Sequence, residues 1–101
     1  MDFKKITIIG IGLIGSSFAL ALRKQGFNGN ITGVGRNEEN LIKAKESGIV
    51  DEYSTSHAEG VIDADLIILA SPVGQFEEIV KNIKDNIKKG TPLNFKHVRD
   101  Y

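Results

Sequence analysis

The apolar segment Ile6-Thr7-Ile8-Ile9 runs directly into Gly10-Ile11-Gly12-Leu13-Ile14-Gly15, and from there Ile14, Phe18, Ala21 and Leu22 recur at helical spacing. A strand, a G-x-G-x-x-G turn and an amphipathic helix in that order leave few folds open. Gly10 permits the tight turn off the strand, Gly12 lets backbone approach a pyrophosphate, and Gly15 lets the helix pack closely on the strand. The unpaired N–H groups that open the helix, at the positive end of its dipole, suit an anion. The pattern predicts a dinucleotide-binding βαβ unit whose loop, Gly10, Ile11, Gly12, Leu13, Ile14 and Gly15, contacts the cofactor.

The rest of the chain continues that theme. The first helix is expected over Leu13 to Gln25, with Arg23 and Lys24 in its last turn and Gly26 as its stop. Ile31-Thr32-Gly33-Val34 reads as a second parallel strand, and Asn37 as the N-cap of a helix that ends at Gly48. Ile49-Val50 is expected as a very short third strand or edge element, followed by a polar stretch from Asp51 to Glu59. The unbroken apolar run from Asp65 to Ala70 suits a central strand covered on both faces. Ser71-Pro72-Val73 breaks the chain, after which Phe76, Ile79, Val80, Ile83 and Ile87 mark one face of a helix stopping near Gly90. Alternating strands and helices of this length predict an α/β fold, a doubly wound parallel sheet (Rossmann fold) in three α/β/α layers. Residues 91–101 form an atypical tail in which no good strand is apparent.

With 101 residues the chain supports one core, here a single truncated NAD(P)-binding domain over residues 1–101. Thirteen basic and thirteen acidic residues cancel, so there is no electrostatic case for nucleic acid or an anionic membrane surface. No apolar stretch approaches the roughly 18 residues of a membrane helix. The chain has no cysteine, which removes disulfides, thiolate metal sites and cysteine nucleophiles; no metal site is expected. Met1-Asp2-Phe3-Lys4-Lys5 leads straight into the first strand and leaves no room for a signal peptide, so a cytoplasmic protein is expected.

Cofactor choice turns on the end of the second strand. In the NAD-specific version of this fold an Asp or Glu about 20 residues past the glycines binds the ribose 2′-hydroxyl. Here that position holds Gly35, followed by Arg36 and Asn37. A carboxylate would repel a 2′-phosphate, whereas a guanidinium binds one with a charge-assisted hydrogen bond of about 1.5–3 kcal/mol. The expectation is NADP rather than NAD. Ser71, Pro72 and Val73 lie just past the carboxyl end of an apolar strand, where open α/β sheets bind ligands, and are expected at the cofactor, Ser71 on its ribose or nicotinamide side and Pro72 stiffening the loop.

Beyond the glycine motif, Ile31-Thr32-Gly33-Val34-Gly35-Arg36-Asn37, Ala44 to Gly48 with Ile49-Val50-Asp51-Glu52, and Ala64-Asp65-Leu66-Ile67-Ile68-Leu69-Ala70-Ser71-Pro72-Val73 form a specific combination. It resembles the N-terminal nucleotide-binding domain of prephenate and arogenate dehydrogenases over about residues 3–90, and the Gly35-Arg36 pair resembles the NADP-using branch. The resemblance implies oxidative decarboxylation of prephenate or arogenate in tyrosine biosynthesis, with a His helped by a Ser taking the hydroxyl proton. It also implies a helical domain that closes the substrate site and makes a homodimer. The family's Gly-Ser-Val-Lys and Gly-His-Pro segments have no counterpart in residues 91–101, so no catalytic residue is assigned. A truncated or frameshifted gene, a gene-model error and one piece of a split enzyme all fit such a tail. His57 and His97 fall outside the family's motifs and are expected to be solvent-exposed. A stand-alone dinucleotide-binding module, a subunit of a split enzyme and a related NAD(P)-dependent reductase are the alternative readings.

Overall fold

Two apolar runs separated by some sixty residues become neighbours at the centre of a parallel sheet. The computed structural model of the chain describes residues 3–71, 73–86 and 93–95. Its strands are β1 (Lys5–Ile9), β2 (Asn30–Val34), β3 (Glu52–Ser54), β4 (Leu66–Leu69) and β5 (Leu93–Phe95). The helices are α1 (Leu13–Lys24), α2 (Glu38–Glu46), α3 (His57–Gly60) and α4 (Phe76–Ile83), the last entered through a 3-10 turn at Val73–Gln75. The sheet order is β3-β2-β1-β4-β5, with every neighbouring pair parallel. The chain builds outward from β1 in one direction and then returns to build in the other, so the order reverses between β1 and β4.

Side chains alternate across the sheet. Ile6 and Ile8 of β1 and Ile68 of β4 pack with Ala19, Leu22 and Ala44 on the α1 and α2 side. Ile9, Ile67 and Leu69 pack with Val61, Ile79 and Ile83 on the α3 and α4 side. Burying each such isoleucine contributes about 1.5–3 kcal/mol, and both faces of the inner strands are used. Thr7, fully buried, donates its hydroxyl hydrogen to the Gly60 carbonyl at 2.7 Å. The expected three-layer, doubly wound sheet is present. Among the described residues no helix is long and apolar enough to cross a membrane.

Two expectations need correction. The third strand is Glu52–Ser54, inside the stretch expected to be polar loop, and not Ile49-Val50. The cause is the end of α2. Gly48 takes φ +77°, and the Ile49 and Val50 amides turn back to donate to the Ala44 carbonyl at 2.9 and 3.3 Å. Those amides close the helix and are not available to a ladder, while the Val50 side chain fills the core. Strand pairing begins only after the Asp51 amide donates to the Ile31 carbonyl at 2.8 Å.

The second correction concerns the tail, where no strand was expected. Leu93–Phe95 pairs with β4 in the register Ile67–Leu93, Ile68–Asn94 and Leu69–Phe95. Three residues with a polar centre are too short a window for alternation to register in the sequence. Helix α4 ends at Ile83 and a turn follows; Ile87 and Gly90, expected at its end, lie outside the described residues, as does the remainder of the tail.

Candidate functional site

The three glycines of the turn serve different ends. Gly10 has φ +102°, and its amide donates to the Val34 carbonyl at 2.7 Å. A Cβ at Gly10 would lie 2.7 Å from the Ala70 carbonyl oxygen. At Gly15 a Cβ would lie 2.1 Å from the Gly10 carbonyl oxygen, so any side chain there pushes α1 off the loop. Gly12 differs from both. A Cβ there would meet nothing within 4 Å, and its φ of −110° is open to any residue. Packing within the described chain gives no reason for glycine at position 12; the bare backbone faces open space, as the approach of a bulky ligand requires.

Gly12 is also the N-cap of α1. The Ser16 amide donates to the Gly12 carbonyl at 2.9 Å, closing the first turn. The amides of residues 13–15 therefore precede any helical acceptor, and no side chain caps this end. The first turn carries no acid, so the positive end of the dipole is uncompensated. These features fit a dinucleotide pyrophosphate.

Above the carboxyl ends of β1, β2 and β4, where the strand order reverses, lies a cleft of about 360 Å³. Of the residues expected to contact cofactor, it brings together Gly10, Ile11, Gly12, Gly35, Arg36, Asn37 and Ser71. Ile14 instead packs against the core on the α1 side, and Gly15 sits beneath the loop. Leu13 opens α1. Val73 begins the 3-10 turn, and Pro72 lies outside the described residues.

The polar groups of the cleft divide into committed and free. Asn37 caps α2, its side-chain oxygen accepting the Asn40 amide at 3.1 Å. Ser71 is buried and donates its hydroxyl hydrogen to the Ile9 carbonyl at 3.4 Å. Arg36 is exposed, and among the described residues it forms no ion pair. At Gly35 a Cβ would make only ordinary contact, 3.6 Å from Leu41 Cδ2. A side chain would fit at position 35, and the chain carries none.

His57 lines this cleft as well, half-buried at the start of α3, which corrects the expectation of a solvent-exposed residue. Ser56 caps α3, its hydroxyl oxygen accepting the Glu59 amide at 3.3 Å, and α3 packs on β2, β3 and α4. His57 Nδ1 lies 3.4 Å from Asn82 Nδ2 of α4. Burial pushes the imidazole below its ordinary range, Arg36 pushes it the same way, and Glu78 opposes them. The missed signal is Ser56-His57-Ala58-Glu59, the S-x-x-E pattern of a helix start. His97 lies outside the described residues. Among the described residues no three His, Asp or Glu side chains cluster as a metal site would need.

Known proteins share this arrangement. The family described as "Prephenate dehydrogenase, nucleotide-binding domain" matches residues 18–93. Prephenate dehydrogenase of Lactococcus lactis subsp. cremoris is 44% identical over 80 residues, 79% of this chain and 22% of that protein. The NADP(+) ketol-acid reductoisomerase of Bifidobacterium animalis subsp. lactis is 36% identical over 98 residues, 96% of this chain and 27% of that protein. Among solved structures, A. aeolicus prephenate dehydrogenase in complex with hydroxyphenyl propionate and NAD+ superposes with a TM-score of 0.89 at 34% identity. That match covers 96% of this chain and 34% of that one. The chain thus spans between about a fifth and a third of the length of these relatives. With its glycine loop, its cleft at the sheet reversal and the family match over most of its length, the chain belongs to the prephenate dehydrogenase nucleotide-binding domain family.

Proposed function

We propose that this chain is the NADP-holding part of a cytoplasmic prephenate or arogenate dehydrogenase. The reading rests on one observation above the others: at the end of β2, where an NAD-type site has a carboxylate, the cleft has Gly35 without a side chain and the guanidinium of Arg36, which forms no ion pair among the described residues. The backbone of Gly10 and Gly12 would cradle the pyrophosphate at the start of α1, Arg36 would take the 2′-phosphate, and Ser71 would hold the loop after β4 against β1 through the Ile9 carbonyl. A relative named for NADP(+), matching 96% of the chain, supports that choice. The NAD+ in the A. aeolicus complex supports NAD as the second reading.

When bound, the nicotinamide would supply a hydride acceptor. The residues of the cleft would bind and orient the dinucleotide that carries it. The proton acceptor for the substrate hydroxyl and the walls of the substrate pocket would come from other parts of a complete, dimeric enzyme, which would carry out oxidative decarboxylation of prephenate or arogenate.

Titrating the purified chain with NADPH and NADH, read by nicotinamide fluorescence, tests the reading. Saturable binding with about a 10- to 100-fold preference for NADPH is the expected result, from about 1.5–3 kcal/mol for the guanidinium–phosphate contact. Preference for NADH overturns the cofactor choice, and binding of neither overturns the site.

A further inference from the structure

Two basic side chains line the same cleft from different elements. Arg36 follows β2, and His57 opens α3, which packs on β2 and β3. Among the described residues the cleft lining includes no Asp or Glu. The Arg36 charge disfavours a second positive charge on the ring, and an anion seated with both removes that penalty. We propose that His57 is, with Arg36, the second cationic contact for the phosphate on the adenosine ribose, and that NADP binding therefore draws a proton from solvent onto the His57 imidazole. This rests on the NADP reading above.

The surroundings of His57 set the direction. Burial and the Arg36 charge disfavour its protonated form, while Glu78 of α4 favours it. The other titratable groups on the elements around it are Glu59 on α3, Glu52 and Tyr53 on β3, and Glu77 and Lys81 on α4; β2 has none. Asn82 of α4 meets the ring at Nδ1, 3.4 Å away, so the contact to the phosphate would be made through Nε2. In the free chain the ring is neutral near neutral pH. A phosphate dianion beside it outweighs Arg36 and favours the imidazolium. NAD, which has a hydroxyl at the same ribose position, gains nothing from that proton.

Calorimetric titration of the full chain with NADP+ and with NAD+, in buffers of different ionisation enthalpy at about pH 6 and about pH 8, reads proton uptake directly across the histidine range. A phosphate monoester itself titrates near pH 6, so wild type is compared with His57→Gln at each pH to cancel that contribution. The expected result is proton uptake with NADP+ in wild type only, and an NADP+-to-NAD+ affinity ratio about 10-fold higher in wild type than in His57→Gln near pH 6, converging near pH 8. Equal uptake and equal ratios in the two proteins overturn the proposal. The wild-type ring is followed by NMR as a second measurement, independent of how well the variant folds; the chain has two histidines, and His97→Gln assigns them. A His57 titration raised by NADP+ but not by NAD+ supports the proposal, and one unmoved by bound NADP+ overturns it. Absence of any preference for NADP+ at either pH overturns the NADP reading itself, and this inference with it.

Discussion

Arg23, in the last turn of α1, forms an ion pair with Asp51, the residue just before β3. The same guanidinium donates to the carbonyls of Phe27 at 3.1 Å and Gly29 at 2.7 Å, and lies over the Phe27 ring. Asp51 Oδ2 also accepts the amide of Ile31 at 2.8 Å. One arginine and one aspartate therefore tie the end of α1, the start of β2 and the turn after α2 into a single knot, at the end of the sheet opposite the cleft.

The two halves of that knot are unequal. Arg23 and Asp51 are partly exposed, so their charge attraction contributes at most about 1 kcal/mol. Removing Asp51 also strands the amide of buried Ile31, which costs about 1–3 kcal/mol. Urea denaturation is expected to rank Asp51→Ala as more destabilising than Arg23→Ala, with a double-mutant coupling below about 1 kcal/mol. The reverse order would assign the strength of the knot to the ion pair.

Gly12 and Gly15 are three residues apart and should respond oppositely to alanine. Gly15→Ala drives a methyl group to 2.1 Å from the Gly10 carbonyl oxygen and is expected to cost about 1–3 kcal/mol or more. Gly12→Ala enters open space and, as an N-cap change, is expected to cost no more than about 1 kcal/mol. Dinucleotide affinity should nevertheless fall at least tenfold in Gly12→Ala. Thermal melting and NADPH titration of both variants separate the two effects, and undiminished affinity in folded Gly12→Ala would remove the pyrophosphate from this loop.

If the proposed NADP reading holds, two adjacent positions should turn the cofactor choice. Arg36→Ala is expected to lower the NADPH-to-NADH affinity ratio by about 10- to 100-fold, through loss of the charge-assisted contact. Gly35→Asp has room for its Cβ and would place a carboxylate where a 2′-hydroxyl binds and a 2′-phosphate is repelled. The ratio should move towards NADH in both. Fluorescence titration measures it, and a ratio unchanged in both variants removes the selector role from the end of β2.

His57 also links stability to pH. Its proton affinity is lower in the folded chain than the ordinary value of 6.5 for the unfolded one, so the unfolded chain binds more protons in the interval between. Stability should therefore decline as pH falls below about 6.5 and level off for this residue once the folded ring is also protonated. Above that interval both states are neutral there and His57 contributes no slope. In His57→Gln the decline should be shallower than in wild type, by urea denaturation across the range; identical slopes would mean that the folded environment leaves the ring unperturbed.

The central βαβ unit was legible because its signals are local. Gly10, Gly26 and Gly48 all take positive φ where turns or helix ends were read, and the runs ending at Ile9 and Leu69 are the fully covered strands. Arg36 was legible because strand ends in an open α/β sheet line a ligand crevice whatever the sequence between them. The elements that were missed depend on partners distant in sequence. Glu52–Ser54 is a strand because β2 offers it an edge, and Leu93–Phe95 because β4 does. His57 reaches the cleft because α3 docks on α4 and the turn after it, where Asn82 meets His57 and Asn86 donates to the Ala58 carbonyl. No spacing within residues 55–60 encodes that docking.

The close fit of Gly15 beneath the Gly10 carbonyl, with the Gly10 amide held by Val34, leaves the glycine loop little freedom to move independently of the sheet. A ligand entering such a loop finds its backbone donors already aimed, and loses little affinity to ordering them. What remains to be ordered is the exposed Arg36 side chain at the other end of the cleft. The rigid end would then act as a common anchor for every dinucleotide, and the exposed end as the place where discrimination evolves by one or two substitutions without disturbing the fold.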